Sequence, residues 1–158
     1  MTSVNPIPHG YHTVTPYLFV KGAAEAIEYY KKVFGAAEVV RMPGPGGKIM
    51  HAEIKIGDST VMLADESPQM GSVSPVTLGG SPSLLHVYVA DVDAVTQKAV
   101  DAGAKLVRPV KDQFYGDRTG TIVDPFGHVW NVGTHVEDVS PEEMRKRMAA
   151  AMSQTAGA

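Results

Sequence analysis

Cysteine is absent from this chain of 158 residues, which excludes a disulfide framework and any thiolate-bound zinc and leaves no mark of an oxidising compartment. Long apolar runs are missing too, and no segment approaches the roughly 20 residues that a membrane span requires. The opening Met1-Thr2-Ser3-Val4-Asn5-Pro6-Ile7-Pro8 has neither the basic start nor the apolar stretch of an export signal. An excess of positive charge is also lacking. The formal net charge is −3 with both signs interspersed, so there is no basic stripe to neutralise phosphates and nucleic acid is not an expected partner. Nucleophile signatures of the Ser/His/Asp type, dinucleotide fingerprints and phosphate-cradling loops do not occur. Gly44-Pro45-Gly46-Gly47 lacks the Lys-Ser/Thr ending of a P-loop and precedes a strand pattern, which makes it a turn. The expectation is a soluble, cytoplasmic protein, long enough to fold without staples.

What the chain does contain is the same pattern twice. Thr13 to Val20 alternates as a strand and feeds a helical pattern through Ala24, Ile27 and Phe34 that stops at Gly35-Ala36; Leu84 to Val89 does the same into Val92, Val95 and Ala102, stopping at Gly103-Ala104. Pairing Ala24 with Val92, Ile27 with Val95 and Gly35 with Gly103 gives a constant offset of 68. A duplicated βαβββ unit follows, and with it a cavity shared between two halves. In the first half Ile49 to Ile56 alternates clearly, with Met50, Ala52, Ile54 and Ile56 on one face and His51, Glu53 and Lys55 on the other. Lys105 to Val110, Arg118 to Val123 and His128 to Thr134 complete the second half.

These patterns predict a domain over 11–134, with module one at 11–65, a crossing loop at 66–82 rich in turn formers, and module two at 83–134. A loop of that length also suits the cover of a cavity mouth. A helical extension follows at 135–152 and a tail at 153–158. Ser140-Pro141-Glu142-Glu143 reads as a helix start, with Ser as N-cap and Pro in the first position. Its row Met144, Met148 and Met152 is expected to dock on the body of the protein or on a second subunit.

The tandem pattern over roughly Tyr11 to Thr134, with Val20-Lys21-Gly22, Ile27, Tyr30 and Phe34-Gly35 in one half and Asp124-Pro125-Phe126-Gly127-His128 in the other, resembles the vicinal oxygen chelate superfamily. That group includes glyoxalase I, extradiol dioxygenases, fosfomycin-resistance enzymes and bleomycin-resistance proteins. Arg41 to Lys48, Met50 to Asp58 and Tyr115-Gly116-Asp117-Arg118 are similar to its PhnB-like branch. The resemblance implies an α+β fold, two tandem βαβββ modules forming a curved eight-stranded mixed sheet around a cup, plus the C-terminal helix. Modules would pair within a chain or across a homodimer. It also implies a divalent metal held on the first and last strands of each module. Those positions fall on Thr15 and Leu84, on Asn131, and on Val61 or Met62. None is His or carboxylate, so no metal ligand is expected and the fold has to be separated from its family's chemistry.

His51 and Glu53 are the candidate catalytic pair, pointing to the same face of their strand. They read as a general base with its orienter, as two metal ligands from an unfamiliar position, or as a cross-strand pair with no chemistry. Tyr17 and Phe19, then His86 and Tyr88, give aromatic walls and polar handles for a small-molecule pocket, with Met62 and Asn131 on the neighbouring strands. Tyr115 and Arg118 sit at a rim, where Arg118 could grip an anion or pair with Asp117. Trp130 is expected under the second helix; His9, His12 and His135 receive no role. The first reading is a binding protein for a small organic ligand, with no cofactor and no usual metal site. The alternative is a lyase or isomerase of the superfamily using His51 and Glu53, in which a divalent metal is possible.

Overall fold

The computed structural model describes residues 4–155, and their contacts cluster into two compact units that meet in the sequence between Pro82 and Ser83. The first unit runs β1 (Tyr17–Val20), α1 (Ala23–Phe34), β2 (Ala37–Pro43), β3 (Ile49–Ile56), β4 (Ser59–Asp65) and the single-turn helix α2 (Pro75–Leu78). The second runs β5 (Leu84–Tyr88), α3 (Val92–Asp101), β6 (Lys105–Asp112), β7 (Asp117–Val123), β8 (Val129–His135) and α4 (Pro141–Thr155). Each unit holds one four-stranded mixed sheet. The orders are β1-β4-β3-β2 and β5-β8-β7-β6, and in both the first strand pairs parallel with the last while the others are antiparallel. Two four-stranded sheets of identical topology are the duplication in structural form.

In module one, α1 buries Ala23, Ala26, Ile27, Tyr30 and Val33, an apolar stripe at helical spacing. It packs on the sheet, where Val20, Ile54 and Leu63 are fully enclosed. The helix ends at Gly35, whose φ of 65° is left-handed and whose N–H donates to the Lys31 and Tyr30 carbonyls; Gly103 closes α3 with φ 103°, a conformation that costs glycine least. Module two centres on Val92, Ile122 and Val132.

The helix starts differ between the modules in chemistry and agree in place. Gly22, before α1, makes no side-chain cap of its own. The carboxylate of Asp65, at the end of β4, accepts instead from Gly22 N and Ala23 N at 2.9 and 3.0 Å and from Ile49 N at 2.7 Å. Thr134, at the matching end of β8, accepts from Val92 N at 2.9 Å and donates to the Val89 carbonyl at 2.9 Å. Each satisfies N–H groups that the helix itself leaves open.

Several expectations shift. The strand expected over Thr13 to Val20 begins at Tyr17, because Pro16 has no N–H for the ladder, although its carbonyl still accepts from Met62 N at 2.9 Å. The crossing segment holds a turn of 3-10 helix at Pro68–Met70 and α2, capped by Ser74, where the sequence shows no period. Helix α4 begins as read, with Glu143 N donating to Ser140 Oγ at 3.2 Å. It is tied down by Arg147, which binds both Glu137 oxygens at 2.8 Å, while Met148 and Met152 are exposed and do not dock on the body of this chain. Part of the tail expected at 153–158 belongs to this helix, and its last three residues lie outside the described ones. Among the described residues no helix is long and apolar enough to cross a membrane.

Candidate functional site

Strand parity puts His51 and Glu53 on one side of β3, and the neighbouring elements turn the pair into a chain of four groups. His51 Nε2 lies 3.1 Å from Glu53 Oε1, His51 Nδ1 lies 2.9 Å from the Tyr17 hydroxyl, and the Tyr11 hydroxyl donates to Glu53 Oε2. A carboxylate only accepts, so the proton of a neutral His51 sits on Nε2 and Tyr17 donates to Nδ1. The hydrogen bond from Tyr11 holds the Glu53 carboxyl below its usual range against the opposing effect of burial, with His51 adding to the same direction. Burial and the Glu53 charge push the Tyr17 hydroxyl up, so it keeps its proton. The Tyr17 and His51 rings are 5.6 Å apart. Glu53 is buried at 7% exposure, and the chain of four groups it belongs to is a polar network rather than a solvated pair.

Two cavities of module one meet this chain. One, of about 530 Å³, is lined by Tyr17, Phe19, Ile49, Met50, Ala64 and Met70, with Lys48, Asp65 and Glu66 among its polar lining. The other, of about 460 Å³, is lined by Tyr11, Thr15, Glu53 and Met62 beside the Pro6–Pro8 stretch. Met62 is the Cα partner of both Tyr17 and Glu53, whereas Val61 is buried in the core. The uncertain register of the sequence therefore resolves to Met62.

Module two repeats the arrangement with other side chains. Asn131 is the Cα partner of His86 and of Thr121, as Met62 is of Tyr17 and Glu53. Its amide donates to His86 Nδ1 at 2.9 Å and its oxygen accepts from Thr121 at 3.1 Å. A cavity of about 410 Å³ is lined by Leu84, Arg108, Lys111, Tyr115 and Asn131 with Thr119 and Thr121. Tyr88 lies with its ring 4.5 Å from His86 and donates to Asp117 at 2.8 Å. His135, for which no role is expected from the sequence, joins Asp117 at 2.7 Å through Nδ1 and Asp138 at 3.0 Å through Nε2. These two bonds raise its pKa above the ordinary 6.5. Burial pushes the Asp117 carboxyl up, but the bonds from His135 and Tyr88 outweigh it and the net direction is down.

Arg118 does not pair with Asp117. It binds Asp93 at 2.7 and 2.8 Å and Asp112 at 3.0 Å, because adjacent residues on β7 point to opposite faces. Trp130 is buried as expected, and its Nε1 donates to Asp124 at 2.8 Å. That carboxylate also accepts from Phe126 N and His128 N at 2.9 Å, so it organises the Asp124-Pro125-Phe126-Gly127 turn.

The divalent metal that the resemblance implies has to fit the side chains at its positions. Thr15 donates its hydroxyl to the His12 carbonyl at 3.1 Å, Asn131 is engaged by His86 and Thr121, and Leu84 and Met62 carry no oxygen. One neutral hydroxyl and one amide oxygen are a poor donor set for a hard or borderline cation. Among the described residues no three His, Asp or Glu side chains are grouped so as to hold one.

Comparison with known proteins agrees with this architecture. The chain is 46% identical over 140 residues to an uncharacterized protein of Mycobacterium tuberculosis H37Rv, covering 87% of this chain and 82% of that protein. The crystal structure of TioX from Micromonospora sp. ML1 matches with a TM-score of 0.61 at 25% identity, covering 82% of this chain and all of the other. The PhnB protein of Bacillus cereus matches in fold with a TM-score of 0.61 at 18% identity, over 78% of this chain and 99% of the other. The model of the Glyoxalase/Bleomycin resistance protein/Dioxygenase superfamily matches residues 10–132. The chain belongs to that superfamily.

Proposed function

We propose that this protein binds a small, largely apolar organic molecule in module one without a divalent metal, as drug-binding members of the superfamily do. The observation that carries the reading is the 530 Å³ cavity walled by Tyr17, Phe19, Ile49, Met50 and Met70. Its volume falls in the range of about 300–1,000 Å³ usual for ligand pockets, and an apolar wall with few polar groups is their usual make-up. Tyr17, Met50 and Met70 stand exposed, apolar area that a ligand would cover. The same reading places the chain in the PhnB-like branch, in the cytoplasm. It also makes it a homodimer, supported by the outer strands β2 and β6, which leave Val39, Met42, Leu106 and Val107 exposed. The test is a titration with 2-naphthol followed by backbone amide shifts. Saturable shifts at Ile49, Met50 and Ala64 are expected, with binding about tenfold weaker in Met50→Asp. Shifts that do not saturate, or that ignore Met50→Asp, overturn the reading.

A second reading rests on the Tyr17–His51–Glu53 row, which has the form of an oriented proton relay. A substrate in the cavity gives a proton to the Tyr17 oxygen as the proton of Tyr17 passes to His51 Nδ1, and the imidazolium is held by the Glu53 carboxylate. This is the acid–base step of a lyase or isomerase. Binding retained with turnover lost in Tyr17→Phe and Glu53→Gln favours it; binding with no turnover in the parent protein favours the first reading.

A further inference from the structure

Module two concentrates positive charge in a way that the ligand reading for module one does not use. Arg108 and Lys111 both line the 410 Å³ cavity, although they stand three positions apart on β6 and a regular strand sends such residues to opposite faces. The ladder shows how this happens. Arg108 is the Cα partner of Thr121 and Lys111 that of Thr119, with an irregularity between them, so three steps on β6 are matched by two on β7. The extra residue is a β-bulge at Pro109-Val110, where proline has no N–H to contribute. Gly120 makes the room: a Cβ there would lie 2.8 Å from Val110 Cγ2 and 3.4 Å from Val110 Cα. The bulge turns both cations, with Thr119 and Thr121, toward the same hollow.

The amides and threonines in that hollow are already partnered. Gln113 donates to Thr119 Oγ1 at 3.0 Å, Thr121 to Asn131 at 3.1 Å, and Asn131 to His86 at 2.9 Å. The two cations are not. No carboxylate lines the cavity, and among the described residues neither Arg108 nor Lys111 takes part in an ion pair, whereas Arg41, Arg118 and Arg147 are each held by two carboxylates. Two like charges held at one concave surface repel each other, and an anion between them relieves that repulsion. Guanidinium offers a fork that matches a carboxylate or phosphoryl group, and ammonium adds a point charge.

We propose that this cavity is a binding site for the oxyanion end, carboxylate or phosphoryl, of a small organic molecule, held by Arg108 and Lys111 with the Tyr115 hydroxyl beside them and Leu84 as an apolar wall. It shares no lining residue with the module-one cavity, so it stands or falls separately from the reading above.

The experiment titrates the full chain with benzoate, phenylphosphonate and neutral benzamide, reading backbone amide shifts. The two anions are expected to give saturable shifts centred on Arg108, Lys111, Thr119 and Thr121, and benzamide none. The tighter of the two anions tells which oxyanion geometry fits. Arg108→Gln and Lys111→Gln each weaken the anions about tenfold, the size of one lost charge-assisted contact. Lys105→Gln, the same change of charge on the same strand outside the cavity, leaves affinity unchanged. Unfolding midpoints of the variants within a degree or two of the parent show that the fold is intact. Benzamide binding as well as benzoate, an effect of Lys105→Gln equal to that of Lys111→Gln, or anion affinity unchanged in the Arg108→Gln/Lys111→Gln double variant overturns the proposal.

Discussion

His135 shows what a single side chain gains from its neighbours. Bonds to Asp117 and Asp138 raise its pKa above 6.5, so its charged form is favoured in the folded protein. That contribution is complete below the unfolded value near 6.5 and disappears as pH rises through the higher folded value. Asp117 runs the other way: its carboxyl is held below the ordinary 3.8, and its contribution is present above that value and lost as pH falls through the lower one. Module two should therefore lose stability on both sides of a mildly acidic window. The imidazole of His135, followed by proton NMR, should titrate above 6.5 and fall in Asp138→Asn. A titration at or below 6.5 in the parent would contradict the pairing. At this scale the sequence was partly legible. Alternation along β3 is enough to put His51 and Glu53 on one face, because it needs only the strand period. Tyr11 and His135 could not be found that way, since each meets its partner through tertiary structure, 42 and 18 residues away along the chain. For Arg118 the choice of Asp93 over Asp117 depends on where α3 lies.

Elements were read more securely than contacts. The helical stripes, their glycine ends and the alternation of β3 are local, and they predict α1, α3 and the strands without knowledge of the rest. Boundaries moved where a proline intervened, at Pro16 before β1, and the bulge at Pro109 was invisible because a period broken by one residue looks like noise. Asp65, the last residue of β4, and Thr134, the last but one of β8, secure the helix starts across the sheet. Asp65 accepts three backbone N–H bonds, and Asp65→Ala should destabilise the protein by about 2–4 kcal/mol. Thr134→Val removes one bond to a helix N-terminus and should cost about 1 kcal/mol. Chemical denaturation of both variants checks the order; equal losses would show that the extra bonds of Asp65 carry no weight.

For the whole molecule, duplication was the most legible property, since it is written in a constant offset between the halves. What the halves do with it has diverged. The position facing the last strand is Glu53 in module one and Thr121 in module two, which places a carboxylate in one hollow and a hydroxyl in the other. The side chains at the positions where the resemblance implies a metal, Thr15, Leu84, Met62 and Asn131, bear on a test of the metal-free reading. Protein purified without chelators should carry far less than one equivalent of divalent metal by elemental analysis. A stoichiometric metal that disappears in His51→Ala would instead mean that His51 and Glu53 are ligands, and the metal-free account of module one would be withdrawn.

The irregular step at Pro109-Val110 has a consequence for reading relatives of this chain. A homologue with a regular sixth strand would have to space its two basic residues by an even number to aim them together, and it would have no need of a side-chain-free residue on the adjoining strand. Proline and glycine at these two places, with basic residues at odd spacing, form a joint signature that a search by charge alone would overlook.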